Sequence, residues 1–126
     1  MSVAKTCEPL VGLLKEELLA HSILNIDETT LQVLQEEGRD DTTKSYMWVF
    51  LGGDPERPTV FFEYHPTRNA QALDFLQDFT GTIQTDGYIS DEALGEQPGI
   101  IHVGCLAHIR RKFMDVIKIS KREKTK

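Results

Sequence analysis

Two aspartates are the residues whose positions suggest chemistry. Asp27 lies in ILNIDETTLQVL, where an apolar run beginning at Ile23 meets an acidic residue, and Asp86 lies in GTIQTDGY. An ionised carboxylate that is buried without a partner is costly, so an acid at the inner end of a strand needs solvent or a partner. Two carboxylates that lie close together repel each other unless a cation lies between them. Mg²⁺ suits such a pair, because it binds one or two carboxylates and completes its shell with waters or phosphate oxygens, as phosphoryl transfer requires.

Each aspartate taken alone also has an ordinary structural explanation. Asp86 precedes Gly87, and Asp-Gly is a common turn pair. Asp27 is followed by Glu28, and solvent exposure at a strand end accounts for two successive acids equally well. The feature that favours a shared metal site is that each acid ends a predicted strand.

The elements that must position these acids follow from hydrophobic periodicity. Apolar residues at helical spacing predict a helix over 3–20. Runs of β-branched and aromatic residues separated by polar, Gly or Pro segments predict strands over 23–34, 45–51 and 59–64, with a Gly- and Pro-rich turn over 52–58. We then predict a helix over 65–79 capped by Asn69, a strand from 81 into a turn at 86–87, a short helical turn and loop over 90–99, a buried strand over 100–105 and a helix over 106–121.

This order predicts an α/β fold with a mixed sheet. Three strands form an antiparallel meander, two further strands follow, and helices cover the sheet. Ribonuclease-H-like folds have this order, with the first strand central and the fourth beside it. Acids at the carboxyl ends of those two strands, here Asp27 and Asp86, are then expected to face each other.

The last strand and helix carry further candidates. Cys105 and His108 form a C-x-x-H pair with His102 nearby, but a structural zinc site needs four ligands, and the others are not supplied at suitable spacing. The alternative is a buried thiol beside a histidine at the start of a helix. That helix is expected to turn four apolar side chains inward: Ile109, Phe113, Val116 and Ile117.

Charge is distributed unevenly along the 126 residues, whose formal net charge is −6. The segment after residue 109 holds eight Lys and Arg and two acids, so it carries +6 and leaves −12 for the rest. An acidic body is not typical of a freestanding nucleic-acid-binding protein. Arg110, Arg111 and Lys112 nevertheless lie in the first turns of a helix, where the macrodipole disfavours positive charge. Contact with DNA phosphates or with the acidic strand ends explains them, and a solvated helix face is the alternative.

Composition limits the class of protein. The length suits one domain, and no apolar run approaches the roughly 20 residues of a membrane span. The first residues lack the apolar core of a signal peptide, so we expect a cytoplasmic protein in which Cys7 and Cys105 are reduced. We expect no membrane partner and no small-molecule substrate.

Several segments resemble one family of proteins. ILNIDETTLQVL, KSYMWVFLGG, FFEYHPTRN, FLQDFTGTIQTDGY and HVGCLAHIRRKF occur in the order seen in bacterial DDE transposases of the insertion-sequence sixty-six family. The resemblance covers about residues 3–117, and CEPLVGLLKEELLAHS is similar to the helix that precedes the first catalytic strand of that family.

The resemblance implies a ribonuclease-H-like core that cuts and joins transposon DNA ends with two Mg²⁺ or Mn²⁺ ions. Asp27 is implied as the first catalytic and metal-binding acid and Asp86 as the second, with a lead-in helix over 1–22 and a partial catalytic domain over 23–126. The family's third acid is a glutamate beyond the C-x-A-H-x-R-R-K-F helix, and this chain ends at Lys126. We therefore expect an incomplete, truncated catalytic domain that binds metal weakly and is inactive alone.

Two alternatives remain open. In one, Asp115 completes the site and the chain is a metal-dependent nuclease. In the other, the chain is not an enzyme and binds DNA or a transposase through the basic helix, with Arg110, Arg111 and Lys112 contacting phosphate. The resemblance also leaves open self-association of the protein.

Overall fold

The computed structural model describes residues 3–68, 70–87 and 96–123. Helix α1 spans Val3–Leu19, and the meander strands are β1 (Ile23–Gln32), β2 (Lys44–Asp54) and β3 (Arg57–His65). A 3₁₀ helix (Ala70–Leu76), strands β4 (Gly81–Thr85) and β5 (Ile100–Gly104), and helix α2 (Leu106–Glu123) follow. Asn69, the predicted helix cap, and most of the predicted segment 90–99 lie outside the described residues.

The five strands form one mixed sheet in the order β3-β2-β1-β4-β5. β1 pairs antiparallel with β2, and β2 pairs antiparallel with β3. β1 pairs in parallel with β4, and β4 pairs in parallel with β5. The predicted mixed α/β sheet is confirmed, as are the antiparallel meander, the central first strand and the fourth strand beside it.

One face of the sheet carries the hydrophobic core. Helix α1 contacts β2 and β3, and its Leu18 is fully buried. Phe50 of β2 is also fully buried, with its ring centroid 4.9 Å from that of Phe75 and 6.0 Å from that of Phe61. The remaining buried apolar residues of this core are Leu24, Ile26, Trp48, Ala72, Leu73, Leu76, Phe79 and Ile83.

The opposite face of the sheet is exposed. Phe62 follows Phe61 on β3 and points to the other side, because successive side chains of a strand alternate between faces, and it is 60% exposed. Other exposed or partly exposed apolar residues of this face are Leu51, Val60, Tyr64, Ile101 and Val103. The prediction that the strand over 100–105 is buried was wrong, because β5 is an edge strand and none of the described elements covers its outer face.

Helix α2 also differs from its prediction. Phe113 is 68% exposed, and Ile109, Val116 and Ile117 are exposed as well, so the expected inward packing was wrong. The reason is that this helix begins at the sheet edge and no described element packs along its apolar side. Within the described residues, no helix has both the length and the apolar character needed to cross a membrane.

Two local predictions also required correction. The expected turn over 52–58 is only two residues long, since β2 and β3 stay paired as far as Asp54 and Arg57. The expected helix over 65–79 is a short 3₁₀ helix, a form typical of brief connectors. The apolar residues of this segment nevertheless reach the core, with Leu76 and Phe79 buried.

Candidate active site

The register between β1 and β4 brings the two candidate aspartates to the same level of the sheet. In this parallel pairing Ile23 lies beside Thr82 and Asn25 beside Gln84. The same offset of 59 residues, continued along the chain, places Asp27 beside Asp86. Residues at one level of adjacent strands point to one face, and both aspartates line a single cavity of about 220 Å³. The structure therefore brings these two predicted residues together.

The position of Asp27 within its strand differs from the prediction. Asp27 is the fifth of ten residues in β1, and the antiparallel ladder with β2 continues from Asp27 beside Val49 to Gln32 beside Lys44. Only the parallel pairing with β4 stops before Asp27, at Asn25. The strand tolerates an acid at its centre because the Asp27 side chain is 53% exposed, on the uncovered face of the sheet.

The adjacent acid, Glu28, has a different environment. Its side chain is only 8% exposed and forms an ion pair with Arg68. Alternation along β1 places Glu28 on the face opposite to Asp27. Of these two successive acids, Asp27 is therefore the one that faces the cavity.

Asp86 follows the last residue of β4 and lies in a turn held by Thr85. The Thr85 side chain is buried, and its Oγ1 accepts a hydrogen bond from the backbone N–H of Gly87 at 3.1 Å. The same Oγ1 lies 2.8 Å from Nε2 of His102. Gly87 has a φ of 80°, which favours glycine. Asp86 is thus both a turn residue and a cavity residue, so the two sequence interpretations are compatible.

Cys105 connects the start of α2 to the end of β4. Its backbone N–H donates a 2.7 Å hydrogen bond to the carbonyl of Thr85, next to Asp86. The predicted buried thiol is in fact partly exposed and lines the cavity. Hydrogen bonds from the side chain and backbone of His108, and from Gln84, lower the pKa of Cys105 to about 7, because they stabilise the thiolate.

His108 lies in the first turn of α2 and reaches Asp27. Its Nε2 is 3.6 Å from Oδ2 of Asp27, while the other oxygen, Oδ1, accepts a 2.8 Å hydrogen bond from the N–H of Glu28. The His108 side chain is 25% exposed and lines the same cavity. The Asp27 carboxylate is consequently flanked by a backbone donor on one oxygen and an imidazole on the other.

The donor atoms determine which metal the cavity suits. The described part of the chain contains no group of three or more His, Cys, Asp or Glu placed to hold a metal ion. His102, considered as a zinc ligand with Cys105 and His108, contacts Thr85 and does not line the cavity. Asp27 and Asp86 supply carboxylate oxygens, which are the ligands preferred by Mg²⁺, and a pair of them with waters and phosphate suffices for that ion.

The other predicted site residues lie outside the cavity. Arg110, Arg111 and Lys112 are exposed on α2, beyond the turn that carries His108. Asp115, the candidate third acid of the nuclease hypothesis, is exposed and lies 3.2 Å from Nζ of Lys118. It does not line the cavity with Asp27 and Asp86.

Comparison with known proteins extends these observations. The sequence profile of the transposase IS66 family matches residues 1–126, which is the whole chain. The chain belongs to the transposase IS66 family. The chain is also similar to the uncharacterized protein y4qI of Sinorhizobium fredii. The two are 34% identical over 103 residues, which cover 71% of this chain and 19% of that protein. The uncharacterized protein y4jD of the same organism is 33% identical over 106 residues, covering 75% of this chain and 20% of that protein.

The chain spans about a fifth of the length of these two relatives. No solved structure matches it. The family indicates a transposase-related function.

Sequence reasoning missed the contribution of Thr85, and it considered His108 only as a zinc ligand or as a histidine at a helix start. A hydroxyl residue directly before Asp-Gly was the available signal for Thr85, since Ser and Thr side chains often bond to the backbone two residues on. No local signal could have paired His108 with Asp27, because 81 residues separate them in the sequence.

Proposed function

We propose that this chain forms part of the catalytic core of a DDE transposase, with a ribonuclease-H-like fold, that acts on DNA by metal-dependent phosphoryl transfer. The observation that carries the proposal is that Asp27 and Asp86 line one cavity, each two residues beyond the last pair of the parallel β1–β4 ladder, Asn25 and Gln84. The strand order β3-β2-β1-β4-β5, with the first strand central, supports the fold assignment.

In this proposal the two carboxylates hold a divalent cation, Mg²⁺ or Mn²⁺. A cation bound there would polarise a phosphoryl oxygen and lower the pKa of a bound water or hydroxyl. The chain's own part is to present carboxylate oxygens on a rigid sheet and to keep the cavity open to solvent, so that a DNA phosphate can enter. Arg110, Arg111 and Lys112 follow on α2 and are proposed to contact DNA phosphates.

The same geometry argues that DNA cleavage is not expected from these residues alone. Asp27 and Asp86 are the only carboxylates among the described residues that line the cavity. Asp115 lies elsewhere, beside Lys118. Two carboxylates bind a divalent cation weakly, so we propose that strand transfer requires a further acidic ligand.

Titration with Mn²⁺ followed by NMR tests the proposal. Paramagnetic broadening is expected first at the backbone amides of residues 25–27 and 84–87, and Asp27→Asn or Asp86→Asn should each weaken it. Asp78→Asn removes an equal charge from an exposed position outside the cavity and serves as the matched control. Broadening that spares both segments, or that is the same in all three variants, would show that the two aspartates do not form a shared metal site.

A further inference from the structure

His108 lies where it can control the orientation of the Asp27 carboxylate. Its Nε2 faces Oδ2 at 3.6 Å, and the N–H of Glu28 binds Oδ1 at 2.8 Å. The carboxylate therefore has a backbone hydrogen-bond donor at Oδ1 and a neighbouring imidazole nitrogen at Oδ2. Each carboxylate oxygen has two lone pairs, so both oxygens can still bind a cation.

The position of His108 is fixed by the start of α2. The N–H of Cys105 is bonded to the carbonyl of Thr85 at 2.7 Å, which ties the helix to the end of β4. The N–H groups of His108 and Ile109 bond to the carbonyl of Cys105 at 3.1 and 3.2 Å, and these bonds begin the helix. Cys105 is thus held at the end of β4, and His108, three residues later, places its imidazole beside the side chain of Asp27 on β1.

The burial of His108 also indicates a fixed ring. Its Nδ1 is inaccessible to solvent. The ring can offer a hydrogen-bonding atom to Asp27 only through Nε2. Its place in the cavity is therefore not that of a freely moving surface histidine.

We propose that His108 is a positioning residue that holds the Asp27 carboxylate in the orientation required to bind a divalent cation together with Asp86. The part that concerns the cation rests on the proposed function. The contact between His108 and Asp27 does not, so the two can be tested separately. Groups that orient a metal-binding side chain commonly change metal affinity by tenfold or more when they are removed.

Three variants of the chain test the proposal. His108→Leu removes the imidazole nitrogens while filling most of the volume of the ring. His108→Gln keeps an N–H near the position of Nε2. His65→Leu, on β3 and outside the cavity, controls for loss of a histidine elsewhere. Amide spectra and thermal unfolding confirm that each variant is folded.

The first readout is the side-chain carboxyl ¹³C signal of Asp27 without metal. We expect it to move in His108→Leu, to stay near its original position in His108→Gln, and to be unchanged in His65→Leu. The ¹⁵N signal of Nε2 in His108 should move in Asp27→Asn. An Asp27 signal that is the same in the original protein and in His108→Leu overturns the proposal, whether or not the protein binds metal.

The second readout is the Mn²⁺ affinity. His108→Leu should weaken it by about tenfold, with rescue in His108→Gln. In the Asp27→Asn background His108→Leu should have no further effect, because the residue acts through Asp27. Equal affinities of the original protein and His108→Leu overturn the cation part. If the original protein binds no Mn²⁺ at this cavity, the proposed function fails, and the metal-free carboxyl signal still decides the contact.

Discussion

Asp27 and Asp86 are 59 residues apart in the chain and line one cavity, just beyond the point where the parallel pairing of β1 with β4 ends. The pairing of Asn25 with Gln84, two residues before each of them, sets this relationship. A shift of the register by one residue would turn one of the two side chains to the opposite face, because strand side chains alternate. The relationship therefore depends on the core residues that fix the register, such as Leu24 beside Ile83, both fully buried.

The two faces of the sheet should differ in their contribution to stability. Phe50→Ala is expected to lower the free energy of unfolding by about 3–5 kcal/mol, because Phe50 is fully buried against Phe61 and Phe75. Phe62→Ala removes the same side chain from the exposed face and should cost about 0.5 kcal/mol or less. Urea unfolding of both variants measures the difference. Similar costs would contradict the assignment of the core to one face.

Two glycines should respond in opposite directions to substitution by alanine. Gly81 has a φ of 152°, and an added Cβ would lie 2.5 Å from the carbonyl oxygen of Ser22, so Gly81→Ala should destabilise the protein by about 1–3 kcal/mol. Gly12 is exposed within α1, and its Cβ would meet no atom within 4 Å. Gly12→Ala should stabilise by about 0.5–1 kcal/mol, because alanine favours the helix. Urea midpoints of the two variants check both signs, and a stabilising Gly81→Ala would contradict the close approach to Ser22.

The Cys105 thiol should react at a lower pH than ordinary cysteine. Its pKa is lowered to about 7, so about half of it is thiolate at pH 7, compared with a few per cent for a thiol of pKa about 8.5. Lower basicity reduces nucleophilicity, which leaves an expected advantage of about threefold in alkylation by iodoacetamide over an unperturbed cysteine thiol of pKa about 8.5 at pH 7. The rate should fall below pH 7 as the thiolate is protonated, and level off above pH 8.

Cys7→Ser leaves Cys105 as the only cysteine and makes the measurement unambiguous. In that background His108→Leu should move the midpoint of the rate profile to higher pH, since the hydrogen bond from the His108 side chain is the largest cause of the lowered pKa. A midpoint near 8.5 before that substitution would refute the interaction between His108 and the thiol.

DNA binding through α2 should depend on salt in proportion to its phosphate contacts. If Arg110 and Arg111 each contact a phosphate of duplex DNA, Arg110→Gln or Arg111→Gln should reduce the slope of log K against log salt by about 0.9. Lys5→Gln, at an exposed position on α1, is the control for loss of one positive charge. Fluorescence anisotropy with a labelled duplex at several salt concentrations gives the slopes. Equal slopes for all three variants would exclude Arg110 and Arg111 as phosphate contacts.

The sequence by itself determined most of the elements and the identity of the candidate acids. Runs of β-branched and aromatic residues such as those around Phe50 and Phe61 predicted the strands, and the spacing of Leu14 and Leu18 predicted α1, because these patterns reflect local backbone geometry. The order of these elements was enough to predict the mixed sheet and the central first strand. The family motifs then singled out Asp27 and Asp86, whose metal-binding roles stay a prediction.

Only the tertiary structure decided how these parts meet. Asp27 lies in mid-strand because the ladder with β2 continues to Gln32, and the exposure of Phe62 and Phe113 depends on which faces other elements cover. The contact of His108 with Asp27 requires the start of α2 to lie at the end of β4, beside β1. These features arise from pairing and packing between segments that are distant in the sequence. Periodicity along the chain reflects only local backbone geometry, so it cannot predict them.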